Sequence, residues 1–139
     1  MNRLPLRTLL AILSLAALAM PAAFAEKKSI EAAKTWKGSV EDDALLKNAP
    51  KFAASAESLA ALWKIWKIAG KPPEVDFSTS IVVVMTTKGS ILNPSFQLDE
   101  KGNLELVGMA TMDYLPGFRY VLSLVPRAGV KTVDGEPLS

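Results

Sequence analysis

The chain contains no cysteine and no histidine among its 139 residues. Without thiolates or imidazoles it can build neither a Cys/His zinc site nor an iron–sulfur site. The same absences exclude a disulfide framework and thiolate or imidazole nucleophile chemistry. A large surplus of either charge is missing too, with 16 Lys+Arg against 14 Asp+Glu. What is present is apolar: 50% of residues are hydrophobic, too many for a disordered chain, at a length that allows one domain.

The small positive excess sits in one place. Arg3 and Arg7 precede an uncharged run, Leu9 to Met20, rich in leucine and alanine. Pro21 breaks the run, and Ala23-Phe24-Ala25 puts small residues at the −3 and −1 positions of a cleavage site. This is the three-part pattern of a secretory signal peptide. The run is shorter than the roughly 20 residues that a helix needs to span a bilayer. The two arginines are not adjacent and no cysteine follows, so neither a twin-arginine signal nor a lipoprotein is indicated. The expectation is a signal peptide over 1–25 and a single small domain over 26–139, exported to the periplasm or the extracellular space. Removing Arg3 and Arg7 leaves 14 basic and 14 acidic residues. A neutral domain with scattered charge has no electrostatic footprint for nucleic acid or for an anionic membrane.

Hydrophobic periodicity outlines the domain. Thr35 to Val40 reads as a short strand with Trp36 and Val40 inward, and Glu41 to Lys47 as one helical turn with its acids at the favourable N-terminal end. Ser55 is a good N-cap. After it Leu59, Leu62, Trp63 and Trp66 follow at i, i+3, i+4 and i+7, the stripe of a helix packed on a core. Gly70 and Pro72-Pro73 are placed to end that helix. Ile81 to Met85 is a β-branched run that suits a central strand covered on both faces. Ile91 to Leu98 and Asn103 to Met112 flank Asp99 to Asn103 as a hairpin. Leu115-Pro116-Gly117 fits a type II turn leading into a strand from Phe118 to Val125. Val130 to Val133 reads as a last short strand, closed by an Asp134-Gly135 turn. The predicted fold class is α+β, one main helix packed on an antiparallel sheet of about five strands.

One constellation reaches further. Leu59-Ala60-Ala61-Leu62-Trp63 on the helix is followed, after the proline-rich link, by Glu74-Val75-Asp76-Phe77-Ser78, the strand Ile81 to Met85, and Gly89. This resembles the C-terminal domain of the PrcB-type proteins, exported bacterial proteins linked to stabilising a partner protease complex. It is also similar to small secreted bacterial proteins of unknown function that share the P-x-V-D-F segment. The likeness runs from about Phe52 to Gly89. Where the PrcB-type pattern has a Gly-Gly-Tyr-like segment, this chain has Asn93-Pro94-Ser95-Phe96. The resemblance implies a binding or stabilising role and brings no catalytic residues.

Read residue by residue, Asp76 caps local backbone N–H groups and Phe77 enters the sheet as core. The carboxylate pairs Asp42/Asp43 and Asp99/Glu100 are sequence neighbours in loop or helix-start positions, where solvated charge is the ordinary reading of acid/base candidates. Lys101 interrupts any calcium loop around Asp99. No G-x-S-x-G or S-x-x-K serine motif occurs. Met85, Met109 and Met112 offer thioethers to copper(I), but with no imidazole nearby they read as gap-filling core. No cofactor or metal is therefore expected, and the protein is expected not to be an enzyme.

The strongest surface candidate is Thr111 to Tyr120, which gathers polar and aromatic groups around a tight turn. Aromatic residues and arginine are enriched where proteins bind proteins. Asp113, Tyr114, Arg119 and Tyr120 are the candidate protein-binding residues. The alternative is a hairpin corner, the commoner arrangement, with Tyr120 in the core and Asp113 paired with Arg119. The functional expectation is an exported, non-enzymatic binding or stabilising module whose partner is another exported protein, such as a protease or envelope complex. Two further readings stay open. One is an apolar-ligand or lipid carrier with a cavity near Trp63, Trp66 and Phe77, and the other, more remote, is a hydrolase.

Overall fold

The structure is a computed structural model that describes residues 27–138; the segment read as a signal peptide lies outside the described residues. Among the described residues nine strands form two sheets. They are β1 (Lys28–Ile30), β2 (Lys34–Val40), β3 (Phe52–Ala53), β4 (Ser80–Thr87), β5 (Leu92–Leu98), β6 (Asn103–Ala110), β7 (Phe118–Pro126), β8 (Thr132–Val133) and β9 (Glu136–Pro137). A 3₁₀ helix, Asp43–Asn48, follows β2, and the main helix α1 spans Ala56–Ile65. The four-stranded sheet runs β2-β7-β4-β3 and the five-stranded sheet β1-β5-β6-β8-β9.

The fold class is α+β with one main helix, and the expected single sheet is two. The physical reason lies in β4 and β7, which are apolar on both faces. Val82 and Val84 on β4, with Phe118, Tyr120 and Leu122 on β7, face α1 and pack with Leu59, Leu62, Trp63 and Trp66. Ile81, Val83 and Val125 face the other way and pack on Phe96, Leu104 and Val133 of the second sheet. A sheet with two apolar faces needs a layer on each side. The molecule therefore has three layers: helix, four-stranded sheet, five-stranded sheet. β6 and β8 pair in parallel, a local exception to the antiparallel expectation.

Local chemistry sets the element ends. The Ser55 hydroxyl accepts the Ser58 N–H at 3.1 Å, and the Ser58 hydroxyl accepts the Ser55 N–H at 3.2 Å, a reciprocal cap. The helix ends at Ile65, seven residues before Pro72, and Gly70 is not its terminator. Lys67 takes a left-handed φ of 53° while the Ile68 N–H donates to the Trp63 carbonyl at 3.0 Å, closing a Schellman turn with lysine in the usual glycine place. Asp76 caps as expected, its carboxylate accepting the Ser78 N–H at 3.1 Å. Phe77 is half-buried in the turn before β4 and lies outside the sheet. Pro94 is tolerated inside β5 because the alternation set by the Thr111 N–H donating to the Ile91 carbonyl turns position 94 away from β6.

Candidate functional site

The loop Thr111 to Gly117 joins the two sheets, and its backbone is held at many points. The Arg119 guanidinium on β7 reaches back to four carbonyls: Pro116 at 3.2 Å, Lys88 at 3.2 Å, Leu115 at 3.3 Å and Gly117 at 3.1 Å. The Leu115 N–H donates to the Lys88 carbonyl at 3.1 Å. On the incoming side, the Ser90 N–H is shared between the Thr111 hydroxyl at 2.9 Å and the Asp113 carboxylate at 3.0 Å. The Thr111 hydroxyl also accepts the Ile91 N–H at 3.1 Å. Gly117 has a φ of +70°, as the type II reading requires, and a Cβ there would lie 2.1 Å from the Val40 carbonyl oxygen.

These bonds explain the charge states. Hydrogen bonds from the Thr111 side chain and from the Ser90 side chain and backbone bring the Asp113 carboxyl down to about 2. At the other end of the β4–β5 link, Lys88 pairs with Asp43 at 2.9 Å, and that contact holds the Asp43 carboxyl below its ordinary value. Burial pushes the Tyr120 hydroxyl up.

The four sequence candidates separate in space and in role. Tyr114 stands in solvent, 83% exposed. Asp113 is exposed but spends its carboxylate on Ser90, and no ion pair joins it to Arg119 among the described residues. Arg119 is half-buried and organises the loop backbone. Tyr120 is 6% exposed and belongs to the core. Its ring lies 5.3 Å from that of Trp66 and leans over Gly38, where a Cβ would meet the hydroxyl at 2.3 Å. At the loop, then, Tyr120 offers no side-chain surface to solvent and Arg119 turns its guanidinium onto backbone carbonyls.

The neighbours of these residues are apolar. Met112 is 94% exposed and Met109 79%, contrary to the expectation that both fill the core. Met85 alone of the three lies against the inter-sheet core. Ile91, Val107 and Leu115 are exposed as well. The register explains Val107 and Met109: they lie opposite Ser95 and Asn93 on the outer face of the five-stranded sheet, while Leu104 and Leu106 take the inner face. The alternation was readable, but the loop that continues this patch with Met112 and Tyr114 has no periodicity to reveal where its side chains point.

The helix side offers less. Trp66 is buried edge-on against Phe118 and tilted on Tyr120, both at 5.3 Å, and on its other side an apolar hollow of about 350 Å³ opens between α1 and the 3₁₀ helix, lined by Leu45, Pro50, Ala61, Leu62 and Ile65. Among the described residues no group of three or more acidic side chains converges to hold a metal, and no helix is long and apolar enough to cross a membrane. Compared with protein families, curated proteins and solved structures, the chain matches none.

Proposed function

We propose that the protein is an exported, non-enzymatic binding module, and that the loop Thr111 to Gly117 with the adjoining end of the β5–β6 hairpin docks another exported protein. A protease or envelope complex is the partner class, in keeping with the PrcB-type resemblance. The observation that carries the reading is a contradiction within the loop. Its backbone is fixed by the Arg119 fork and by Asp113, yet its side chains Met112, Tyr114 and Leu115 point apolar surface at water. Free loops with apolar tips tend to fold them inward. A loop held rigid in the exposing conformation has already lost the entropy that binding would otherwise cost. Methionine and tyrosine suit this task, one adaptable and one rigid and amphipathic.

Affinity capture from the native envelope tests it, comparing the protein with a Met112→Ser/Tyr114→Ala double variant. Both side chains are exposed and make no core contact, so the fold is kept. The expected result is a defined partner whose recovery falls about tenfold or more with the variant, as for an interface anchor. Recovery of the same partners in the same amounts by both forms would refute the docking role of this loop.

A further inference from the structure

The two sheets part along one side of the molecule and leave a trough between β2 and β5. The β2–β7 register puts Thr35, Lys37 and Ser39 on the same face as Ser123, Val121 and Arg119, and all three β2 residues are exposed there. Across from them stand Leu92 and Pro94 of β5. Two hollows, of about 450 Å³ and about 310 Å³, run end to end and share Lys37 and Val121.

Three observations mark this trough as a site. The first is an open backbone edge. β1 covers β5 only at Phe96–Leu98, so among the described residues Leu92 to Ser95 has no strand on that side, with Glu31 and Ala32, which follow β1, lining the trough near Ser95. The bond from the Thr111 N–H to the Ile91 carbonyl fixes the alternation and turns the Leu92 N–H and carbonyl, and the Pro94 carbonyl, toward the opening. The second is a pair of polar atoms on the floor with no partner. Ser123 is 1% exposed, and neither its hydroxyl nor the buried Arg119 Nε has a hydrogen-bond partner among the described residues. Such groups are costly in a finished interior, where nearly every buried polar atom is satisfied. The third is charge: Lys37 borders both hollows and forms no ion pair among the described residues, whereas Glu31, the acid in the lining, borders only the smaller hollow at its β1 end.

We propose that the trough receives an extended, acidic peptide segment of another protein, which adds as a strand to the open edge of β5 and sets a carboxylate side chain against Lys37. Edge addition supplies affinity through main-chain bonds, while the trough selects side chains on alternate positions. The four open residues of β5 match a strand of about 13 Å. The floor hydroxyl of Ser123 gains a partner from a polar side chain entering beside Thr35, and the Arg119 Nε, about 13 Å further along β7, from a second one entering beside Ser39. This site is separate from the apolar loop and does not depend on that loop's partner.

The probes are three fluorescein-labelled octapeptides of alternating threonine and valine. One carries a central glutamate, one a central lysine, and one the glutamate with alternate amides N-methylated. Anisotropy titration of the purified protein is expected to show saturable binding of the glutamate peptide and binding of the lysine peptide about tenfold weaker. The Lys37→Glu variant is expected to reverse that order at an unchanged melting temperature, since Lys37 is exposed and unpaired. Lys37→Gln is expected to make the two peptides equal. N-methylation, which removes the main-chain donors, is expected to abolish binding. Tyr114→Ala is expected to leave all affinities alone. The proposal is overturned if the glutamate peptide does not saturate, if Lys37→Glu leaves its affinity unchanged, or if the N-methylated peptide binds equally well. It is equally overturned if Tyr114→Ala removes the binding, which would move the site to the loop.

Discussion

Asp113 shows how one side chain can look functional in a sequence and be architectural in the fold. An acid between methionine and tyrosine beside a Pro-Gly turn invites a role in recognition. In place, its carboxylate accepts the Ser90 N–H at 3.0 Å and so ties together the two separate links between the sheets, Lys88 to Ile91 and Thr111 to Gly117. Its carboxyl sits at about 2, below the ordinary carboxylate value of 3.8, so the bond contributes fully above pH about 4 and is lost as pH falls through about 2. The Ser90 amide resonance is therefore expected to titrate with a midpoint near pH 2, and Asp113→Asn to abolish that transition. A midpoint near 4 would mean that the carboxylate gains nothing from the loop. Tyr120 makes the same point from the apolar side. Its neighbour across the strands is Gly38, and only a residue without Cβ leaves room for the ring to lie down over β2.

Arg119 acts on an element, the loop, through a shape that only arginine has. Its planar fork reaches carbonyls from three consecutive loop residues and from Lys88 in the β4–β5 link. A lysine keeps the charge but presents a single nitrogen. Arg119→Lys is expected to destabilise the protein by about 2 kcal/mol, from loss of several charge-assisted bonds near the surface. It is also expected to speed amide hydrogen exchange from 111 to 117 while β4 and β7 stay protected. Uniform acceleration over the whole chain would show that the arginine holds the sheet and not the loop. Among the elements, α1 was the most legible, because its N-cap and its i, i+3, i+4, i+7 stripe are local signals. Its end was misplaced because a left-handed lysine, Lys67, does the work expected of Gly70.

At the scale of the molecule, β4 and β7 belong to both cores at once. Their even and odd residues feed the helix side and the sheet side respectively, with Val82 in one cluster and Val83 in the other. Neither outer layer has a core without them, so the three layers are expected to unfold together. Leu104→Ala, in the five-stranded sheet, removes a fully buried side chain and is expected to cost about 2–5 kcal/mol. The tryptophans Trp63 and Trp66 report on the opposite layer. Denaturation followed by tryptophan fluorescence and by far-UV circular dichroism is expected to shift to the same new midpoint. Separate midpoints would divide the molecule into two cooperative units.

Much of this was written in the sequence. The absence of cysteine and histidine, the capped amphipathic helix, the doubly apolar strand β4, the β5–β6 hairpin and the turn before β7 all rest on residues within a few positions of one another. Local sterics and periodicity decide such features. Three things were decided only by the tertiary structure. The number of sheets depends on the short link from Lys88 to Ile91, which passes the chain from one sheet to the other although it reads like a hairpin turn. The exposure of Met109 and Met112 depends on which face of β6 meets the core and on where a loop without periodicity is pinned. The trough depends on β2 and β5, far apart in sequence, standing side by side where the two sheets diverge. Burial is a property of what lies opposite a side chain, and no residue carries the identity of its distant neighbours.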